Sequence, residues 1–345
     1  MKLKNSFDKI LKSKGFKKIE LSHVIPSMKA LKRSGDIRRN MFSYYDRNFQ
    51  EISLRPDLSL SAALKFAEEK TNLKKKYFYS GLAYRKPTNN KDLPIVSQFG
   101  WEIFNSNDKH KDDKEIIETS LKILKNTKFK GCKLKIGNLE IFVSLINRLP
   151  NLSSRYKDRL VRHFFRKNYF KKLLKKLETN YDIDEKKVIR DKLFANKLRK
   201  LDQNEVYGGR SLKSILERFD SKMRSPRDES SKKDVKIIKN FLKIECDIKN
   251  APNVLNNFFK KNKINLVISH DYFPINKNKI NNVRIFYVSD LGRNVSYYTN
   301  MVFNIEVKSK LKPQIYISGG RYSNLLRNLG YKKTEAVGAA VNLSI

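Results

Sequence analysis

Cysteine, histidine and acidic residues are scarce in this sequence, and each shortage excludes something. The two cysteines, Cys132 and Cys246, stand far apart, and the four histidines, His23, His110, His163 and His270, fall at no Cys-x-x-Cys or His-Glu-x-x-His spacing. A disulfide framework and a metal centre are therefore not expected. Nowhere does the chain hold the roughly 18 consecutive apolar residues of a membrane span. Its start, MKLKNSFDKILKSKG, alternates charged and apolar residues where a signal peptide carries an apolar block, so a cytoplasmic protein is expected. Glycine pairs occur at Gly208–Gly209 and Gly319–Gly320, but neither runs into a Gly-Lys-Ser/Thr phosphate loop or a Gly-x-Gly-x-x-Gly turn. Turns and close packing are the roles expected of them, and no cofactor is expected.

What is abundant is positive charge and aromatic bulk. Lys and Arg number 75 against 35 Asp and Glu, a formal charge of +40 over 345 residues. Such an excess suggests a nucleic-acid binder, because phosphate neutralisation supplies much of that affinity. Its distribution argues otherwise: +16 over residues 1–149, +18 over 150–280 and +6 over 281–345, with 54 Lys to 21 Arg and the Lys set among Asn, as in PINKNKINN. Proteins that read base edges favour the forked Arg side chain, so this diffuse excess reads as composition bias and nucleic acid is not the expected partner. Hydrophobic residues make up 39%, with 21 Phe and 16 Tyr, enough to bury the cores of two or more domains.

Periodicity divides the chain. Leu3, Phe7, Ile10 and Leu11 stand at helical spacing with Gly15 as a stop, and MFSYYDRNFQEISLRPD reads as a hairpin turning at Asp46 to Phe49. Helices are expected over 58–70 and 112–125, and strands at KYFYSGLAYRKP, PIVSQFGWEIF and CKLKIGN. From about 139 to 265 helical spacing dominates with few strand signals, and 220–233 is the most linker-like part. Strand character returns in VRIFYVSD, SYYTNMVFNIEV and PQIYISGG, followed by a short helix at YSNLLRNLG. The expected fold is α+β: an antiparallel sheet flanked by helices, formed by 1–138 and 266–345, with 139–265 as a helical insertion.

Four segments carry more: ISLRPDLSLSAAL (52–64), GLAYRKP with VSQFGWEIF (81–104), DLGRNVSYYTNMVF (290–303) and SGGRYSNLLRNLG with AVGAA (318–340). In this order they resemble the catalytic core of the histidyl-tRNA synthetases, a class II fold, and GFKKIELSHVIP resembles motif 1, the usual dimer interface. Free histidine needs an anion for its ammonium, a cation for its carboxylate and polar partners for its ring. The resemblance implies Asp57 and Gln98 at the ammonium, Arg293 at the carboxylate, Glu102 and Tyr297 at the imidazole, and Tyr298 and Tyr322 shaping the pocket. Asp57 is shorter than the family's Glu. The alternative is that Arg55, Asp57 and Glu102 form internal ion pairs while the tyrosines pack in the core.

The ATP half departs from the family. Arg85 is kept as a remnant of motif 2, but Lys86 and Pro87 stand where an acidic residue follows, and the loop 88–93 is short of basic residues. Asn342, Ser344 and Ile345 stand at the Gly, Glu and Arg positions of motif 3, whose Arg presses on ATP phosphates, so adenylate formation is not expected. No anticodon-binding domain is expected. Residues 133–167, the element YGGRSLKSILERF (207–219) and DLGRNVSYYTNMVFNIEV resemble the regulatory subunits of ATP phosphoribosyltransferase, with Leu291, Ser296 and Asn300 departing from the last pattern. That resemblance implies a non-catalytic partner of a short-form catalytic subunit in histidine biosynthesis. It further implies a homodimer within a hetero-oligomer of four plus four chains, with L-histidine as effector. A minimal histidine-activating enzyme and a nucleic-acid module on the same fold are the alternatives.

Overall fold

A computed structural model describes residues 2–27, 41–87, 94–127, 131–179, 185–201, 206–207, 210–223, 231–275, 277, 279–280, 283–292, 297–308, 314–331 and 334–342. Helix α1 (Lys2–Ser13) buries Phe7 and Leu11 and stops at Gly15, whose φ of +79° is left-handed. Gly15 N–H donates to Lys12 O and Phe16 N–H to Leu11 O, the paired bonds of a Schellman stop, with Phe16 and Leu11 both buried. Short strands β1 (Lys17–Lys18) and β2 (Val24–Pro26) follow, then the hairpin of β3 (Ser43–Tyr45) and β4 (Glu51–Leu54). Its turn falls where expected. Asp46 Oδ1 accepts from Asn48 N and Gln50 N, and Phe49 takes a left-handed φ of 57°.

Helix α2 (Leu58–Glu68) leads to the long strands β5 (Lys75–Tyr84) and β6 (Ile95–Phe104). Helix α3 (Lys109–Lys125) begins one turn before the expected 112, because Asp108 Oδ1 accepts from Lys111 N and caps it there. Strand β7 (Lys133–Asn138) then runs into α4 (Leu139–Arg148). The helical stretch holds α5 (Ser154–His163), α6 (Lys167–Thr179), α7 (Glu185–Leu198), the two-residue strands β8 (Val206–Tyr207) and β9 (Arg210–Ser211), α8 (Leu212–Met223) and α9 (Ser231–Phe241). Of the linker-like 220–233, residues 224–230 lie outside the described residues. The chain then forms β10 (Glu245–Asp247), α10 (Ala251–Lys261), β11 (Lys279–Ile280), β12 (Val283–Val288), β13 (Met301–Val307), β14 (Gln314–Tyr322), α11 (Asn324–Asn328) and β15 (Ala336–Asn342).

Two compact units result: Met1–Phe142 with Ile244–Phe258 and Val267–Ile345, and Val143–Lys243 with Phe259–Leu266. The bounds differ from the 139–265 read as an insertion. Ile141 and Phe142 are buried with the first unit, and β10 pairs with β12 at the sheet edge, a strand too short to show an alternation in sequence. In the first unit ten strands form one sheet, along β1-β5-β6-β15-β14-β13-β7-β12-β10 with β11 on β12, and β2-β4-β3 form a second. Among the described residues, the pairings in the large sheet are antiparallel except β1 with β5 and β12 with β7. Residues 297–300, expected as strand, precede β13 instead, and Thr299 N–H donates to Arg321 O.

In the second unit α6 and α9 bury Phe170, Leu173, Leu174, Leu177, Val235 and Ile238. Asn151 N–H bonds Asp234 Oδ2 at 2.9 Å, and Ser231 Oγ–H bonds Leu177 O at 2.8 Å. His163 lies against Tyr169, ring centroids 4.4 Å apart, a packing role. Among the described residues, no helix is long and apolar enough to cross a membrane.

Candidate functional site

One face of the large sheet gathers most of the residues singled out in the sequence. Strand β6 carries Gln98 and Glu102 four residues apart, so both side chains leave the same face. Small residues clear space beside them. Glu102 pairs with Gly338 of β15, where a β-carbon would overlap its Oε2, and Gly338 pairs with Gly320 of β14. Tyr79 of β5 pairs with Gly100, and its ring occupies the room that glycine leaves, 2.6 Å from where a β-carbon would stand. Gly319 and Gly320 serve close packing, since a β-carbon would meet the ring of Phe303 at 2.6 Å and of Tyr298 at 2.9 Å respectively.

Glu102 is 1% exposed, and its carboxylate accepts two phenol hydrogen bonds, from Tyr79 at Oε1 and from Tyr322 at Oε2. In both bonds the phenol O–H is the donor. The Tyr79 hydroxyl also lies 3.3 Å from Ser59 Oγ of α2; with its own proton committed to Glu102, it accepts from Ser59. Burial, followed by the charge of Glu102, raises the Tyr79 phenol far above its ordinary range, so it stays a neutral donor. Tyr297 stands edge-on to Tyr322 at 5.4 Å and tilted to Tyr298 at 5.0 Å between ring centroids. Tyr79, Tyr297 and Tyr322 belong to one apolar cluster with Leu58, Leu60 and Tyr77, against which Tyr298 packs. The arrangement is an aromatic wall with a buried anion set into it, chemistry suited to a flat ring that carries an N–H donor.

Asp57 has a role the sequence reading did not give it. Its Oδ1 accepts from Leu60 N at 2.8 Å and caps α2, fixing the carboxylate at the start of that helix. Arg85 Nε donates to Pro56 O at 2.7 Å, tying the motif 2 arginine to the residue before Asp57. Arg55 is buried but bonds main-chain carbonyls, Leu82 O at 2.8 Å and Leu21 O at 2.7 Å, and Gly81, the partner of Gln98, leaves room for its guanidinium. Among the described residues Arg55 thus bonds main-chain carbonyls, and the tyrosine rings pack together beside the bonds of Tyr79 and Tyr322 to Glu102.

The arginine of the GGRY segment points to the other side of the sheet. Arg321, fully buried, meets Asp113 of α3 through Nε at 2.8 Å, Ser106 Oγ and Glu335 through Nη1 at 3.0 Å each, and Lys109 O through Nη2 at 3.1 Å. It is a clamp between α3 and the sheet. Burial pushes the Asp113 carboxyl up to about 6 although Arg321 pulls the other way.

Tyr79, Ser59 and Arg321 were missed in the sequence. The signal for Tyr79 was the pattern KKYFYSGLAY against SQFGWE, which sets an aromatic ring over a glycine across two strands. Arg293, Ser296, loop 88–93, Gly208, Gly209, Ser344 and Ile345 lie outside the described residues; Asn342 ends β15. A separate cleft of about 200 Å³ beside the first turns of α3, with Asp113, Glu140 and Asp271 in its lining, involves none of the implied histidine-binding residues. Among the described residues no group of three or more His, Cys, Asp or Glu is placed to hold a metal.

Comparison with known proteins bears on the family and the fold. A family model described as histidyl-tRNA synthetase matches residues 1–217. The ATP phosphoribosyltransferase regulatory subunit of Sinorhizobium fredii is 23% identical over 86% of this chain and 83% of its own length. The histidine–tRNA ligase of Halothermothrix orenii is 27% identical over 89% of this chain, which spans only 59% of that protein. Among solved structures, one from Bacillus halodurans named as an ATP phosphoribosyltransferase regulatory subunit/histidyl-tRNA synthetase has a TM-score of 0.62 at 17% identity. It is matched over 99% of this chain and 76% of its own. The histidyl-tRNA synthetase of Nostoc has a TM-score of 0.63 at 16% identity, over 99% of this chain and 69% of its own. Both share the class II synthetase-like fold.

Proposed function

Since the chain belongs to the histidyl-tRNA synthetase family, we propose that it acts as a regulatory subunit of ATP phosphoribosyltransferase that binds free histidine and performs no catalysis itself. The observation that carries the reading is Glu102, a buried carboxylate held by Tyr79 and Tyr322 within an aromatic wall, fit to receive an imidazole N–H. Asp57 and Gln98 would meet the ammonium, Arg293 the carboxylate, and Tyr297 and Tyr298 the ring. Two further facts favour a regulatory role. A protein named as the ATP phosphoribosyltransferase regulatory subunit is 23% identical over 86% of this chain. Lys86 and Pro87 follow Arg85 where the ligases carry an acidic residue.

Control follows from linkage. Histidine shifts the complex by its differential affinity for the active and inactive states, and by no more than that. The partner is a short-form catalytic subunit, in an assembly of four plus four chains built on homodimers. Turnover of that subunit, measured with and without this chain, tests the proposal: a rise on mixing is expected, and equal rates contradict it. The retained Arg85 favours a second reading, a minimal histidine-activating enzyme. Histidine-dependent pyrophosphate exchange into ATP, abolished by Arg85→Ala, would establish that reading and overturn the first.

A further inference from the structure

The bonds between Ser59, Tyr79 and Glu102 go beyond anything the motifs assign. Burial alone drives a carboxyl toward its neutral form, and Glu102 is buried on a sheet face among Tyr77, Tyr79 and Tyr322. Two donors, one on each oxygen, act in the opposite direction, because hydrogen bonds to the charged form favour it. A neutral carboxyl would have to turn its own proton toward one of these phenols. The Tyr79 ring is buried and lies on Gly100, in the space that glycine leaves, with its hydroxyl at Glu102. Ser59 Oγ–H donates to the Tyr79 hydroxyl oxygen and polarises that hydroxyl, strengthening its bond to Glu102.

We infer that Tyr79 is a positioning residue that sets the pocket's specificity: it holds Glu102 ionised and aimed, so that the site takes a ring with an N–H donor and refuses a ring of the same shape without one. The identity of the ligand rests on the histidine reading above; the state of Glu102 does not. Each carboxylate oxygen that accepts one phenol keeps a second lone pair, and a ring without an N–H leaves that acceptor position unfilled, so histidine should bind at least about tenfold better than such an analogue.

Two measurements on the full chain test this. The first is the pH titration of the Glu102 carboxyl by carbon NMR, its signal assigned with Glu102→Gln. The second is calorimetry with histidine and with β-(2-thienyl)alanine, whose five-membered ring has no N–H. Tyr79→Phe keeps the ring on Gly100 and removes only the hydroxyl. The carboxyl midpoint should rise by about one to two pH units, the range of a lost charge-assisted hydrogen bond. The preference for histidine should fall about tenfold or more. Ser59→Ala should shift both in the same direction by less, and it serves should Tyr79→Phe not fold. An unchanged midpoint with unchanged preference in the variants overturns the inference. Failure of the wild type to bind histidine would instead overturn the proposed ligand, and the titration alone would then decide the role of Tyr79.

Discussion

Glu102 on β6 reaches over Gly338 on β15 to accept the Tyr322 hydroxyl from β14, so the buried carboxyl group is given its place by a residue with no side chain. Gly338→Ala sets a methyl into Glu102 Oε2. The expected cost is about 1–3 kcal/mol of stability from overpacking. Histidine affinity should fall at least tenfold, read by calorimetry alongside urea unfolding. An alanine variant with native affinity would show that Glu102 does not contact the ligand.

Arg321 should matter for stability rather than for histidine. Arg321→Met leaves Asp113 buried without its cation, and breaking such a pair costs about 3–5 kcal/mol. Urea denaturation at neutral pH should show a loss of this size. A loss under 1 kcal/mol would mean that the clamp is dispensable.

The same carboxyl gives a pH dependence. The folded-state value of Asp113, about 6, lies above the roughly 3.9 of an unfolded aspartate, so the folded chain holds this proton more tightly. The stability it contributes is complete below pH about 4 and is lost as pH rises through 6, up to about 3 kcal/mol in all. Unfolding free energies of the wild type and Asp113→Asn, compared between pH 4 and 7, should diverge by that trend. Parallel profiles would contradict it.

Phe49 sits at the hairpin tip with a left-handed φ of 57° and 87% exposure. Phe49→Gly relieves a conformation that costs an L-residue about 1–2 kcal/mol, against about 0.5–1 kcal/mol for the added freedom of glycine when unfolded. A net gain of up to about 1 kcal/mol is expected in thermal unfolding. A loss would mean that the exposed ring has contacts worth keeping.

The fold elements and the candidate residues are more legible in the sequence than the bonds that join them. The hairpin turn at Asp46, the stop at Gly15 and the strand over VSQFGWEIF followed from local chemistry, because a capping carboxylate, a left-handed glycine and an alternating apolar pattern act over a few residues. Glu102 was legible as a candidate because its segment stood in a recognisable order with three others. Its two phenol partners come from β5 and β14, and nothing local links Tyr79 to a glutamate twenty-three residues on until the register of β5 on β6 is fixed. Asp57 was read as ligand-facing, although an aspartate before an apolar helix is also an N-cap signal. Arg321 and Tyr322 are neighbours in the GGRY segment, yet successive residues of a strand leave opposite faces, so one clamps α3 and the other meets Glu102. The edge strand Glu245–Asp247 hid inside a helical texture because it spans three residues.

Arg293 and Glu102 should differ in weight. With Arg293→Ala the ligand carboxylate loses its cation, and histidine affinity should fall several hundredfold, by analogy with a broken buried pair of about 3–5 kcal/mol. Glu102→Gln keeps an acceptor oxygen but turns an amide N–H₂ toward a phenol donor, so a smaller but measurable loss is expected. Equal histidine binding in Arg293→Ala and wild type would place the effector elsewhere.

The most direct test joins the pocket to the proposed role. The turnover of a short-form ATP phosphoribosyltransferase catalytic subunit is measured with this chain across a histidine titration, for the wild type and for Glu102→Leu. The wild type should raise turnover, and histidine should suppress it. Glu102→Leu should still raise turnover but need at least tenfold more histidine for suppression. Suppression at the same histidine concentration in both proteins would contradict the proposed role of the pocket.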